Sequence, residues 1–246
     1  MIRSLASAAL AAVLALAPLP VVAGSFVDFA GYTWLVRGYG GGPGPNEWRE
    51  ANVHVDAHGL HLMIQQDGDA WTCAEVLMMG PALGFGTYEF EVTGDLAALD
   101  TNAVLGLFNY PASEEVGRDG TNEIDIEIAQ WGDPRNPNRL NWNVYPSLET
   151  GSKGHNAVPL SLAAGASTHR FTWTPHSIDY ASFGGAAGTG GAVPIGAWTY
   201  APEDAASDIP QVPLVVHMNL WLTEGRAPAG GAPVEVVITD FRFTPG

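Results

Sequence analysis

Apolar and polar residues alternate in short runs along most of this chain, and each run is bounded by glycine, proline, asparagine or aspartate. Alternation at a period of two is the mark of a half-buried strand, whereas a helix repeats at about 3.6, and helical periodicity is nearly absent here. The runs predict strands at Asn52 to Val55, Leu60 to Gln65, Gly86 to Val92, Val104 to Asn109, Glu123 to Ile128, Leu140 to Tyr145, His169 to Trp173, Val215 to Leu222 and Val234 to Phe243. So many strands with Gly- and Pro-rich turns imply an all-β sandwich or barrel. Gly184 to Ala192, nearly all Gly, Ala and Thr, reads as a flexible hairpin or loop, and Ala201 to Gln211 as a long surface connection.

One run carries unusual chemistry. In Glu123-Ile124-Asp125-Ile126-Glu127 a strand would put three carboxylates on one face and Ile124, Ile126 and Ile128 on the other. Like charges held close repel and raise the pKa of at least one member. On a regular strand the Cα atoms of Glu123 and Glu127 lie about 13 Å apart. Two glutamates leaning together can bring their carboxyls to about 5 to 5.5 Å, the separation used by retaining glycosidases. Two rival readings stay open on the residues alone: a solvated sheet face, and a cation site, although three acids on a straight strand enclose one ion poorly.

The first residues change the picture of location. Met1-Ile2-Arg3 followed by an Ala/Leu/Val run to about Leu19 and small residues at Val21 to Gly24 reads as a signal peptide over residues 1–23. Pro18 and Pro20 break the run, and a bilayer span needs about 20 apolar residues, so no membrane insertion is expected after cleavage. The expectation is a secreted or periplasmic protein with one domain over 24–246. A single cysteine, Cys73, excludes an intramolecular disulfide. A net charge of −16 argues against nucleic acid or an anionic membrane and is compatible with a neutral polymer.

Aromatic and amide residues point toward sugar. Trp131 follows the acidic strand, Trp71 and Trp48 lie in polar or glycine-rich surroundings, and Asn219 and Trp221 end the run His217-Met218-Asn219-Leu220-Trp221. Aromatic faces cover pyranose rings and amides orient hydroxyls, although tryptophans also fill cores, for which Trp173 is the best candidate. The cluster Gly40 to Asn46 lacks the lysine and following helix of a phosphate loop and is expected to border a cleft.

Taken together, these motifs resemble the family 16 glycoside hydrolases, the laminarinase and lichenase group, which carry Glu-x-Asp-x-Glu on a strand of a concanavalin A-like β-jelly roll of two antiparallel sheets. Gly86-Thr87-Tyr88-Glu89, Gly106 to Tyr110, His169-Arg170-Phe171-Thr172-Trp173 and Met218 to Trp221 match further family strands in order. The resemblance implies a retaining endo-glycosidase acting on a β-linked polysaccharide, a β-glucan or galactan-like chain. It assigns Glu123 as nucleophile, Asp125 as its assisting acid and Glu127 as general acid/base. It also places Asn141 and Asn143 at polar cleft positions, and alternation puts them on one face with Tyr145. Asp240 stands where some members bind a structural calcium; no cofactor is otherwise required, and a monomer is expected. Two departures bear on specificity: Thr121 replaces a tryptophan two residues before the nucleophile, and Phe183-Gly184-Gly185 replaces an Asp-Gly turn. They leave a non-catalytic carbohydrate-binding module as an alternative, and a transglycosylase is another, because the same glycosyl enzyme can be intercepted by a sugar instead of water.

Overall fold

The computed structural model describes residues 24–118, 120–148, 151–186 and 191–246. The signal peptide expected over 1–23 lies outside the described residues. In chain order the strands are β1 (Gly24–Phe29), β2 (Tyr32–Arg37), β3 (Glu47–Trp48), β4 (Val53–Asp56), β5 (Gly59–Asp67), β6 (Ala70–Met78), β7 (Gly86–Gly94) and β8 (Ala103–Tyr110). They continue as β9 (Glu123–Ala129), β10 (Leu140–Tyr145), β11 (Gly154–Val158), β12 (Gly165–Trp173), β13 (Ile178–Gly184), β14 (Val193–Tyr200), β15 (Val215–Leu222) and β16 (Val234–Pro245).

Two antiparallel layers result. One runs β11-β10-β9-β8-β15-β6 and is extended by β2 and β1. The other runs β14-β13-β12-β7-β16-β5, with β4 on its edge. The β5–β6 hairpin pairs only from Gln65 to Thr72, after which its strands diverge into different layers. Between the layers lies one hydrophobic core. Trp142 of β10 stacks on Tyr180 of β13 at 5.7 Å, Trp34 of β2 meets Phe241 of β16 edge-on at 5.6 Å, and the Tyr180 hydroxyl donates to the Asn143 carbonyl. This is the all-β sandwich that alternation predicted, in the jelly-roll form that the resemblance implied. Trp173 is buried in it, its indole donating to the Pro210 carbonyl.

Each of the nine expected strands is present: Leu140 to Tyr145 and Val215 to Leu222 have the expected bounds, the first is shifted by one residue because Asn52 ends a 3-10 turn, and the rest extend by one to a few residues. Alternation at too short or too apolar a run concealed the others. Of the expected loop at Gly184 to Ala192, Gly184 closes β13 and residues 187–190 lie outside the described residues. The surface connection Ala201 to Gln211 holds a single helical turn, Ala205–Asp208. The departure expected at Phe183 to Gly185 is misplaced. The turn after β12 is Thr174-Pro175-His176-Ser177, closed by Thr174 N–H to the Ser177 carbonyl at 2.9 Å, whereas Phe183 lies within β13.

Candidate active site

Strand β9 separates its faces cleanly. Ile124, Ile126 and Ile128 are fully buried in the core, while Glu123, Asp125 and Glu127 line the opposite face. Left-handed residues bracket it: Asn122 (φ 53°) at its entry, and Trp131 (φ 57°) after its exit. Asparagine tolerates this conformation, whereas a bulky tryptophan is strained in it. Asn122 is held by its amide donating to the Val116 carbonyl and its backbone N–H to Pro146.

The register of the neighbouring strands builds the site in rows. Glu127 lies opposite Asn141 on β10 and Gly106 on β8, and Gly106 in turn lies opposite Asn219 on β15, which faces Glu75 on β6. The next row contains Asn143, Asp125, Phe108, His217 and Leu77, and beyond it Tyr145 pairs with Glu123 and Tyr110 with Val215. These strands form the floor of a cleft of about 740 Å³, which Tyr39, Gly42 to Gly44, Trp131 and Trp221 also line. The loop Gly40 to Asn46 therefore borders the cleft, as expected. Gly106 is required by close approach: a Cβ there would sit 2.4 Å from Asn219 Oδ1.

The carboxyls do not share one environment. Burial pushes Asp125 well above the usual carboxylate range, and the charges of Glu123 and Glu127 and a hydrogen bond with Glu123 raise it further, against a smaller opposing pull from Lys153. Burial also raises Glu127, to about 7, again opposed by Lys153. Lys153 reaches the site by resting on Tyr145, with Nζ 4.0 Å from the ring centre and 2.8 Å from the hydroxyl. Asn143 Nδ2 donates to Glu127 Oε2 at 2.9 Å, and Asn143 Oδ1 accepts from His155 Nδ1 at 2.9 Å.

Not every expected site residue meets the cleft directly. Trp131, Trp221 and Asn219 line it, with the two indoles 6.1 Å apart. Asn143 acts through Glu127. Asn141 spends its amide nitrogen on backbone carbonyls and its oxygen on the Trp131 indole N–H at 3.2 Å, so it orients Trp131 and is not free for a ligand. Trp71 sits near the tip of the β5–β6 hairpin, half-buried against the core and outside the cleft lining. Trp48 is buried and holds the cleft loop through its N–H to the Gly41 carbonyl. Thr121 is buried in a turn, its hydroxyl bonded to the Arg118 backbone, and Trp131 stands at the opposite end of the acid row from it. Asp240 does not fit a calcium shell as arranged: Oδ2 accepts from Arg242 and Oδ1 from the Phe241 N–H, which leaves a cation competing with a guanidinium.

Sequence reasoning missed a charged cluster at the other end of the floor. Arg37 pairs with Glu75, whose second oxygen accepts from His217 Nδ1 at 2.8 Å, and all three are buried. The Arg37 guanidinium also lies over the rings of Trp48 and Tyr39. Of the three, only His217 has a local sequence signal that could have found it, a strand face shared with Asn219 and Trp221.

The sequence matches no family model and no curated protein. Solved structures do resemble the fold. A Bacillus licheniformis β-glucanase is 24% identical over 87% of this chain and 92% of its own, with a TM-score of 0.63. A glycoside hydrolase family 16 endo-glucanase from Bacteroides ovatus is 10% identical over 86% of this chain and 94% of its own, with a TM-score of 0.65. The Crh5 transglycosylase, in complex with NAG, is 16% identical over 78% of this chain and 76% of its own, with a TM-score of 0.55. The chain thus has the jelly-roll fold of the family 16 glucanases.

Proposed function

We propose that this chain is an exported, retaining endo-glycosidase that cleaves a β-linked polysaccharide, with a β-glucan as the first substrate to test. The observation that carries the reading is the division of labour along β9. Glu127 has a pKa near 7, so at neutral pH it holds a proton in a substantial fraction of molecules and can release it. Asp125, hydrogen-bonded to Glu123 and raised well above the usual carboxylate range by burial, can share its proton with Glu123 and so steady the nucleophile.

In the proposed reaction Glu123 attacks the anomeric carbon while Glu127 passes its proton to the departing glycosidic oxygen, leaving a glycosyl ester on Glu123 and a carboxylate at Glu127. That carboxylate then takes a proton from water, whose oxygen displaces Glu123 and restores the starting configuration. The aromatic lining supports sugar as the ligand. Trp131 keeps a left-handed backbone and is 37% exposed, an arrangement that costs stability and places a flat apolar side chain at the cleft.

Reducing-sugar release across mixed-linkage β-glucan, laminarin and a galactan tests the proposal. Turnover of at least one is expected, with Glu123→Ala inactive and a 2-fluoro glycoside trapped on Glu123 by mass spectrometry. Binding without release would instead favour a carbohydrate-binding module, and oligosaccharide exchange outpacing hydrolysis a transglycosylase.

A further inference from the structure

The outer face of the second sheet carries a group of side chains that the cleft does not use. On β5, Leu60, Leu62 and Ile64 point into the core, so His61 points to the other side. His54 on β4 is its direct cross-strand partner, and the two imidazoles stack at 4.2 Å with their planes 14° apart. Glu235 on β16 reaches across from the third strand, with Oε1 2.8 Å from His61 Nδ1. One ligand atom from each of His54, His61 and Glu235 lies within 4.8 Å of the others.

We propose that His54, His61 and Glu235 bind a transition-metal dication, of which Zn²⁺ is the reference case. Two imidazoles and one carboxylate are the donor set of many three-ligand zinc sites, which complete a tetrahedron with water. Ligand atoms about 2.0 to 2.2 Å from one ion stand roughly 3.3 Å apart in a tetrahedron. His61 Nδ1 and Glu235 Oε1 therefore need to part only slightly, while His54, exposed on an edge strand, closes the third side by rotating out of its stack with His61, since two parallel imidazoles cannot both point a ring nitrogen at one ion. The ion replaces the hydrogen shared between Nδ1 and Oε1, which leaves to solvent.

A second feature supports coordination over a plain ion pair. His61 Nε2 lies 2.9 Å from Asp56 Oδ1, so a carboxylate fixes the ring from behind while its other nitrogen faces the ligand group. This carboxylate–histidine arrangement is the one that orients metal-bound imidazoles and raises their basicity. His61 is also buried, which restricts the ring to this orientation, while the other two ligands remain accessible. Nitrogen donors select zinc, copper and nickel over calcium and magnesium. The bound ion would tie β4, which pairs only with β5 among the described strands, to β5 and β16, a structural role independent of the cleft on the opposite sheet.

Titration calorimetry of untagged, full-length protein with Zn²⁺ alone tests the site. One equivalent is expected to bind, weakened at least tenfold in His54→Ala and in Glu235→Gln, with His58→Ala, outside the ligand group, unchanged. Zinc at a hundredfold excess over Kd is expected to raise the melting temperature of the wild type by about 5 °C or more, and that of His54→Ala little. Both variants change exposed side chains, so their folding can be checked by their zinc-free melts. Absence of binding at 100 µM Zn²⁺, equal binding by His54→Ala, or an equal response to Ca²⁺ would overturn the assignment.

Discussion

Replacing Glu127 with glutamine is expected to abolish hydrolysis and, at alkaline pH, to make the protein more stable. The folded protein raises this carboxyl from an ordinary 4.5 to about 7, chiefly through burial. The unfolded chain ionises first, so between those values the folded state holds more protons, and stability falls as pH rises through the window. Above pH 7 the whole cost is present; below about 4.5 it is absent. At about 1.4 kcal/mol per tenfold change in proton affinity, the gap corresponds to an upper value of about 3 kcal/mol. Glu127 is only partly buried, and solvent screening reduces this to about 1–2 kcal/mol. Glutamine removes the ionisation while its amide oxygen can still accept from Asn143 Nδ2. Urea denaturation of both proteins at pH 5 and pH 8 measures the difference. The variant's advantage is expected to be about 1–2 kcal/mol greater at pH 8, equivalent to a few degrees in melting temperature for a chain of this size. An advantage that does not vary with pH, or a variant less stable at pH 8, would refute the reasoning, because burial would then not be working against the ionised carboxyl.

Asn143→Ala removes a donor to the ionised form of Glu127, and a hydrogen bond to a charged group contributes about 1.5–3 kcal/mol. The basic limb of kcat/KM is therefore expected to move up by about one pH unit; a fixed or lowered limb contradicts the assignment. Gly106→Ala drives a Cβ against Asn219 Oδ1, and overpacking of this kind costs about 1–3 kcal/mol. A KM raised by about tenfold, with a melting temperature lowered by only a few degrees, is expected in polysaccharide kinetics and calorimetry. Arg37→Met leaves Glu75 buried with only His217 for a partner, and breaking a buried ion pair costs about 3–5 kcal/mol. Thermal melts are expected to show this as the largest destabilisation of the set, and a change below about 1 kcal/mol would mean that water replaces the guanidinium.

What could be read before the structure follows from the range of each interaction. The acid row is local: Glu123, Asp125 and Glu127 share a face because a strand alternates, and Ile124, Ile126 and Ile128 state which face is the core. His217, Asn219 and Trp221 were readable on the same ground. Arg37 and Glu75 were not, since 38 residues separate them and their meeting depends on β2 pairing with β6, which no local period specifies. The same holds for the Asn141 and Trp131 pair. Alternation correctly aims Asn141 at the cleft side, but the left-handed turn at Trp131 brings the indole N–H back onto it, so a residue positioned to touch sugar instead orients the ring beside it. The distinction between the carboxyls is likewise a product of register. Three acids on one face could in principle repel equally; Asn143 opposite Asp125 reaches diagonally to Glu127, and Lys153 arrives on Tyr145 opposite Glu123. Burial raises both acids, Glu127 to about 7 and Asp125 well above the usual carboxylate range with further help from the charges of Glu123 and Glu127, a separation that the motif alone could not give.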